Sequence, residues 1–369
     1  MQTNIRFSII VAFSFLLYSC QPDVSKNTNN AVDNVIKTFT EQQIKANTIT
    51  LRSEDIYTDP PIASIRSMAF HNGLLYLSEL TDADSLVRIV NPANAETKGY
   101  LIKKGEGPNE LSFADEFSIH GGRLHIFEPY RYDVYSVPAQ PGKSITWPGD
   151  DLQRVSVKEV FTDNVVVVGD RVFVNYYAAE EVARFAEVSR AGKMLGFIGD
   201  LPPHPDSSTI DKRIYNMMYT VNPAVPPAND KFALAYEYQD LIEIYNKDAE
   251  LLHRVTGPDF FYPEFVLKQS GSGYKAVPIR GKTRKGYGKI NATNEDIWVL
   301  YSGIIMYPAE GGSADSHLYS LLQVFDWAGN FLRAYRTDVP IYNFCIDTNG
   351  KVIYAVTEEN DTHIVKFRY

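Results

Sequence analysis

The chain has 369 residues but only two cysteines, Cys20 and Cys345. A disulfide framework needs several cysteines within the folded part of a chain, and here one of the two directly follows an N-terminal apolar run. The composition therefore excludes a fold stabilised by disulfides. Cys345 lies in an alternating apolar segment, and we expect it to be a small buried core residue.

Positive charge is also scarce, with 36 Lys and Arg against 45 Asp and Glu, a formal net charge of −9. Removal of residues 1–19 would remove Arg6 and leave −10. General nucleic-acid binding needs a basic face, so we expect no nucleic-acid partner. The seven histidines show no His-x-x-x-His pairing, and no metal site or other cofactor is predicted from them.

Long hydrophobic runs are nearly absent. The one long run, Phe7 to Leu17, follows Arg6, is too short to span a bilayer comfortably, and ends in Leu17-Tyr18-Ser19-Cys20. This segment resembles a bacterial lipoprotein signal, which implies cleavage after residue 19 and attachment of lipid to Cys20. An ordinary secretory signal or a short membrane anchor are the alternatives.

Residues 20–44 are rich in Asn, Thr, Ser, Gln and Asp, a composition typical of a flexible tether. A short helix could form near residues 31–45. We therefore expect a signal peptide over residues 1–19, a tether over 20–44 and a folded domain over 45–369.

Aromatic residues are plentiful, with 24 Tyr and 20 Phe, and they favour half-buried strands. One type of hairpin turn recurs, each time followed by an alternating strand; its last residues are 73, 122, 170, 230, 295 and 350. These positions are 48 to 65 residues apart. A repeat of about 50 residues built from four strands indicates a β-propeller, here an all-β protein with six four-stranded antiparallel blades.

The sixth repeat ends at Tyr369 after only three strands. Residues 48–57 precede the first complete repeat and alternate like an outer strand. We predict that this N-terminal strand completes the last blade and so closes the ring. An independent N-terminal strand, or a tether that continues past residue 48, is the alternative.

The run Lys103-Lys104-Gly105-Glu106-Gly107-Pro108-Asn109-Glu110 follows the first repeat. Together with the lipoprotein-like signal and the six repeats, it resembles the TolB-like six-bladed propeller lipoproteins of Bacteroidetes, which carry a Gly-x-Gly-Pro-x-Glu-like segment there. The resemblance covers roughly residues 48–369. It implies a propeller in the cell envelope, anchored to the inner or outer membrane and facing the periplasm or the exterior, but no activity and no catalytic residues.

In a propeller, the loops between strands 2 and 3 and the loops between blades share one rim. Tyrosines and charged residues are concentrated there, and they could bind a sugar, a peptide or a cation. The candidate ligand-binding residues are Glu79, Tyr130, Arg131, Tyr176, Glu237, Tyr238, Arg284 and Tyr301. The alternative is a solvated rim without a ligand, because loops are generally polar.

Two functions remain open. The first is a non-catalytic binding or scaffolding module for a protein or glycan. The second is a hydrolase or lyase that acts on a polysaccharide or lactone, with calcium as a conceivable cofactor. Carboxylates that converge in the central channel would favour the enzyme, whereas a plug of apolar first-strand side chains would favour the binding module: Met68, Phe70, Phe117, Ile119, Phe344 and Ile346.

Overall fold

A computed structural model describes residues 36–80, 83–140, 142–160, 162, 164–176, 181–271, 273–309 and 317–369. The predicted signal peptide and the lipidation site at Cys20 lie outside these residues. None of the described helices is long and apolar enough to cross a membrane.

The first described strands are N-terminal extensions of the ring: β1 (Ile36–Thr38), β2 (Thr48–Leu51) and β3 (Glu54–Ile56). Three antiparallel four-stranded blades follow along the chain. Blade 1 contains β4 (Ser64–His71), β5 (Leu74–Leu80), β6 (Ser85–Asn91) and β7 (Glu96–Lys103). Blade 2 contains β8 (Glu116–His120), β9 (Arg123–Glu128), β10 (Asp133–Pro138) and β11 (Gln153–Ser156). Blade 3 contains β12 (Val165–Val168), β13 (Arg171–Asn175), β14 (Phe185–Val188) and β15 (Met194–Ile198).

The second half of the chain repeats the same unit. Blade 4 contains β16 (Val221–Ala224), β17 (Lys231–Tyr236), β18 (Leu241–Asn246) and β19 (Leu251–Thr256). After the hairpin β20 (Phe265–Ser270) and β21 (Gly273–Pro278), blade 5 contains β22 (Tyr287–Ala292), β23 (Asp296–Tyr301), β24 (Tyr319–Asp326) and β25 (Phe331–Ile341). Blade 6 contains β26 (Asn343–Asp347), β27 (Val352–Thr357) and β28 (His363–Arg368). The predicted six-bladed propeller is confirmed.

The N-terminal strand closes the ring, as predicted. Strand β3 pairs antiparallel with β28, with Ile56 opposite Ile364 and Glu54 opposite Lys366, and supplies the fourth strand of blade 6. The closing strand is shorter than the predicted 48–57, because β2 instead runs parallel to β25 on the outer edge of blade 5. One predicted strand is thus divided between two blades.

The segment just before β2 also belongs to the folded part. Strand β1 runs parallel to β19 on the edge of blade 4, and helix α1 (Glu41–Ala46) begins with a capping box between Thr40 and Gln43. Phe39 is buried, and its ring stacks on that of Phe331 at a centroid distance of 5.0 Å. Residues 36–44, expected to be tether, therefore cover the outer strands of blades 4 and 5.

Apolar side chains on the two faces of each sheet form the core between neighbouring blades. Aromatic rings fill the space between blades 3 and 4, where Phe232 stacks on Tyr245 at 5.0 Å. Cys345 is buried as expected and is a free thiol.

The two longest connections between blades carry secondary structure of their own. Helix α2 (Lys212–Met218) lies between blades 3 and 4, and the hairpin β20–β21 lies between blades 4 and 5. One face of the hairpin packs through Leu267 and Ala276 into the core that contains Ile214 of α2. We call residues 257–286 the lobe.

Candidate functional site

The central channel contains a cavity of about 660 Å³. Its wall comes from the first strands of all six blades, β4, β8, β12, β16, β22 and β26, and from the tight turns that follow several of them. Five of the six side chains expected to plug the channel line this cavity: Met68, Phe70, Phe117, Ile119 and Ile346. Phe344 instead is buried between blades. The channel is therefore partly apolar but not filled.

Two charged residues of the cavity wall, one from blade 2 and one from blade 5, form an ion pair. The Lys289 ammonium lies 2.6 Å from the Glu116 carboxylate, and the two side chains keep 29% and 28% of their surface exposed. Burial lowers the affinity of Lys289 for its proton, but Glu116 and Asp115 outweigh this effect, and the pKa of Lys289 is raised. The channel thus presents a fixed charge pair to anything that enters it.

A second carboxyl group, that of Asp115, adjoins this pair directly before β8. Burial raises the pKa of Asp115 and the neighbouring Glu116 adds to the increase, while Lys289 and Arg66 oppose it. Asp115 therefore holds its proton more tightly than an ordinary aspartate does.

Hydrogen bonds between first strands hold the channel wall in place. The Ser67 hydroxyl donates to the carbonyl of Phe117 at 3.0 Å, which joins blade 1 to blade 2. The Asn291 amide donates to the carbonyl of Phe344 at 2.7 Å, and the Asn343 amide donates to that of Arg66 at 3.0 Å. These bonds join the first strands of neighbouring blades and fix their positions in the wall.

Two histidines border the cavity near the tight turns of blade 2. The rings of His120 and His125 stack at a centroid distance of 4.2 Å and an angle of 16°. A metal ion lies in the plane of each imidazole that binds it, and two nearly parallel rings cannot share one ion in this arrangement. Across the described residues there is also no group of three or more His, Cys, Asp and Glu that could hold a metal.

At the loop rim, the structure brings together candidates from blades 4 and 5. The Glu237 carboxylate forms an ion pair with Lys285, whose ammonium also lies 5.5 Å from the centre of the Tyr238 ring. The Tyr238 ring in turn packs edge-on against Phe265 at 4.9 Å. Burial raises the pKa of Tyr238, and the carboxylate of Glu237 raises it further, so the phenol is protonated at neutral pH.

A second contact group lies beside the first. The Tyr301 hydroxyl donates to Asp259 at 3.0 Å, and Arg284 lies 3.8 Å from the same carboxylate. The guanidinium of Arg284 also lies 4.6 Å from the centre of the Phe261 ring. Glu237, Tyr238, Arg284 and Tyr301 thus hold the base of the lobe.

The other four candidates have separate surroundings. Glu79 is buried, accepts a hydrogen bond from the amide of Ala63 at 3.2 Å and lies 3.8 Å from Arg88. Tyr130 is exposed, and Tyr176 is buried against Phe197. The described contacts therefore do not join the rim candidates into one continuous binding site.

Arg131, the eighth candidate, holds the glycine-rich segment. Its guanidinium donates to the carbonyls of Glu110 and Gly105 at 3.1 and 3.2 Å. The Glu110 carboxylate lies against Gly105, accepts from the amide of Gly107 at 3.1 Å and pairs with Lys103 at 2.6 Å. The Gly-x-Gly-Pro-x-Glu pattern is therefore a clasp in which the glycines leave room for the glutamate.

Sequence reasoning missed the channel pair, because Glu116 and Lys289 are 173 residues apart. The available signal was a charged residue on the inner strand of each of two blades, where apolar residues were expected to fill the channel.

The geometry defines a six-bladed β-propeller closed by an N-terminal strand. The model of the family described as TolB-like 6-blade propeller-like matches residues 38–349, and the chain belongs to this family. No curated protein matches the chain in sequence.

Solved structures are similar to this chain at low sequence identity, and the first of those below has the same fold. A member of the DUF4221 family from Bacteroides vulgatus is 11% identical, with a TM-score of 0.53 over 86% of this chain and 95% of that one. A protein described as exported from Bacteroides fragilis is 10% identical, with a TM-score of 0.49 over 90% and 98%. A streptogramin B lyase is 9% identical, with a TM-score of 0.46 over 86% and 97%.

Proposed function

We propose that this protein is a binding module of the cell envelope that holds a small part of a glycan or protein in its central channel. The observation that carries the proposal is the cavity of about 660 Å³, enclosed by all six blades. This volume lies within the range of about 300–1,000 Å³ typical of ligand pockets. The hydrogen bonds between first strands keep the wall in place, which lowers the cost of ordering it on binding.

The lining favours a ligand with both apolar and hydroxyl-bearing faces. Phe70 and Phe117 supply aromatic surface, and Glu116 and Lys289 supply an acceptor and a donor. A mono- or disaccharide has this combination of faces. We therefore favour the end of a glycan over a protein side chain as the occupant.

The location completes the proposal. Processing after residue 19 would leave lipid on Cys20 and anchor the protein to the inner or outer membrane. Residues 21–35 would then connect the lipid to the ring, which would face the periplasm or the cell exterior.

One observation favours an enzyme as the second candidate. Glu116 lines the channel and is paired with Lys289, whereas burial raises the pKa of the adjacent Asp115, and two carboxyl groups in unlike surroundings can divide the roles of acid and base. A hydrolase or lyase acting on a polysaccharide or lactone would use them in this way.

A thermal-unfolding screen against mono- and disaccharides and short peptides tests the binding proposal. A ligand at about 100 times its Kd should stabilise the protein by roughly 2.7 kcal/mol. K289M and E116Q should abolish this shift, because they alter the channel, whereas Y130A, on the exposed rim, should retain it. Stabilisation that persists in both channel variants would refute the channel site, and release of new reducing ends would favour the enzyme.

A further inference from the structure

The lobe is basic in an otherwise acidic protein. Residues 257–286 contain six Lys and Arg and two Asp and Glu, a net charge of +4 against −9 for the whole chain. Four of the basic residues are exposed: Lys268, Lys275, Arg280 and Lys282. Local charge of this sign attracts anionic partners over a distance of about one Debye length.

Two of these lysines face each other across the hairpin, an arrangement that lowers the stability of the strand pair. Lys268 and Lys275 lie directly opposite each other in the register of β20 and β21, and no ion pair of the described residues includes either one. Like charges in directly opposed positions destabilise a strand pair. An anion outside the protein would relieve this repulsion.

Apolar residues share the outer face with these lysines. Leu267 and Ala276 point into the core, so Val266, Lys268 and Lys275, one position along, lie on the outer face. Val266 is 41% exposed. The outer face of the hairpin therefore combines a valine with a lysine pair.

Further apolar side chains are exposed on or beside the lobe. Phe260 is 44% exposed and Ile305 is 41% exposed, and Ile305 is bridged to Arg284 of the lobe. A soluble polyanion would contact the lysines but would gain little from these aromatic and aliphatic groups. A bilayer surface with anionic headgroups offers partners for both.

The chain enters the ring on the same blade edge that leads into the lobe. Ile36 pairs beside Arg254 of β19, and the lobe begins at residue 257, directly after that strand. The 15 residues between Cys20 and Ile36 span at most about 55 Å when fully extended. A membrane that held the N-terminus would therefore be within reach of the lobe.

We infer that the lobe is a docking surface for an anionic lipid bilayer, which it contacts through Lys268, Lys275 and the exposed apolar side chains around them. This inference does not depend on the channel ligand or on lipidation of Cys20.

Vesicle co-sedimentation tests the inference with the chain from Gln21 onwards, which keeps the tether and the ring but lacks the apolar run and Cys20. We expect binding to phosphatidylcholine vesicles that contain phosphatidylglycerol, release by salt, and no binding to phosphatidylcholine alone. At about 1 kcal/mol for each basic residue, K268Q/K275Q should weaken binding about 30-fold. V266S should weaken it further.

The matched control is K193Q/K351Q, which removes two exposed lysines from turns on the opposite rim and makes the same change in net charge. This control should bind vesicles like the unmodified chain, and K268Q/K275Q should unfold at no lower temperature than the unmodified chain, since it removes the repulsion between the two lysines. Equal loss in both double variants, absence of binding to anionic vesicles, or tighter binding to a soluble anionic polysaccharide would overturn the inference.

Discussion

Acid should destabilise this protein through the stacked histidines of blade 2. His120 and His125 are 3% and 7% exposed, so neither ring can gain a full hydration shell when it is protonated. Burial lowers the pKa of His120 from 6.5 to about 4. Burial, followed by the neighbouring His120, lowers the pKa of His125 as well.

The sign and size follow from the difference between the folded and unfolded chains. Above pH 6.5 the His120 ring is largely neutral in both the folded and the unfolded chain. Below pH 6.5 the ring binds a proton in the unfolded chain but stays largely neutral in the folded protein. Stability is therefore lost as the pH falls from 6.5 towards 4. At about pH 5 the loss from His120 alone is roughly 2 kcal/mol, and His125 acts in the same direction.

The assay is urea unfolding of the unmodified protein and of H120Q at about pH 7 and pH 5. Burial raises the pKa of Asp240 to about 6, so protonation of Asp240 stabilises the folded state as the pH falls. This effect is common to both proteins, and the difference between their free energies of unfolding therefore reports on His120 alone. We expect H120Q to gain about 2 kcal/mol relative to the unmodified protein between the two pH values. H120F should gain the same amount of stability, since the cost of packing its side chain does not vary with pH. The reasoning would be refuted if the free energies of unfolding of variant and unmodified protein differed by the same amount at both pH values.

Two further predictions concern the clasp and the ring closure. G105A should lower the free energy of unfolding by about 1–3 kcal/mol, because its methyl group would overlap the Glu110 carboxylate and because the φ of +157° at this position disfavours a side chain. Chemical denaturation measures the loss, of which only the backbone part should remain in the E110A background, and a loss that is no smaller there would contradict the clasp. A chain that starts at Arg52 should stay folded but lose about 3–6 kcal/mol of stability, because Phe39 and Leu51 are no longer there to be buried. A chain that starts at Asp59 lacks β3 and should aggregate through the open edge of blade 6. Size-exclusion chromatography distinguishes the two chains, and a monomeric, folded chain from Asp59 would show that closure is dispensable.

The fold was predictable because its signals are local. Each tight turn and the strand after it lie within about a dozen residues. The last repeat contains only three strands, so its fourth strand had to come from another part of the chain. The division of residues 48–57 between two blades was not predictable, since both halves alternate and the choice depends on which outer strand each half meets.

The candidate site was predictable only in part, because strand order fixes a rim but not the direction or partner of a side chain. Arg131 lies on the expected rim, yet its guanidinium is held by carbonyls 21 and 26 residues earlier in the chain. The pair of Glu116 and Lys289 joins blades 2 and 5, and no local pattern links such distant positions. Contacts between blades, which shape both the rim and the channel, are set by ring closure.

Two places in this protein bring together groups that repel each other when charged, and their surroundings separate a structural role from a functional one. His120 and His125 are enclosed, so the protein avoids the repulsion by keeping both rings neutral at neutral pH, and no external partner is needed. Lys268 and Lys275 are exposed on an open hairpin face, where the charge persists and an external anion can approach. Natural sequences depart from local stability mainly at functional sites. On this ground, we expect the lysine pair rather than the histidine pair to mark a site of interaction.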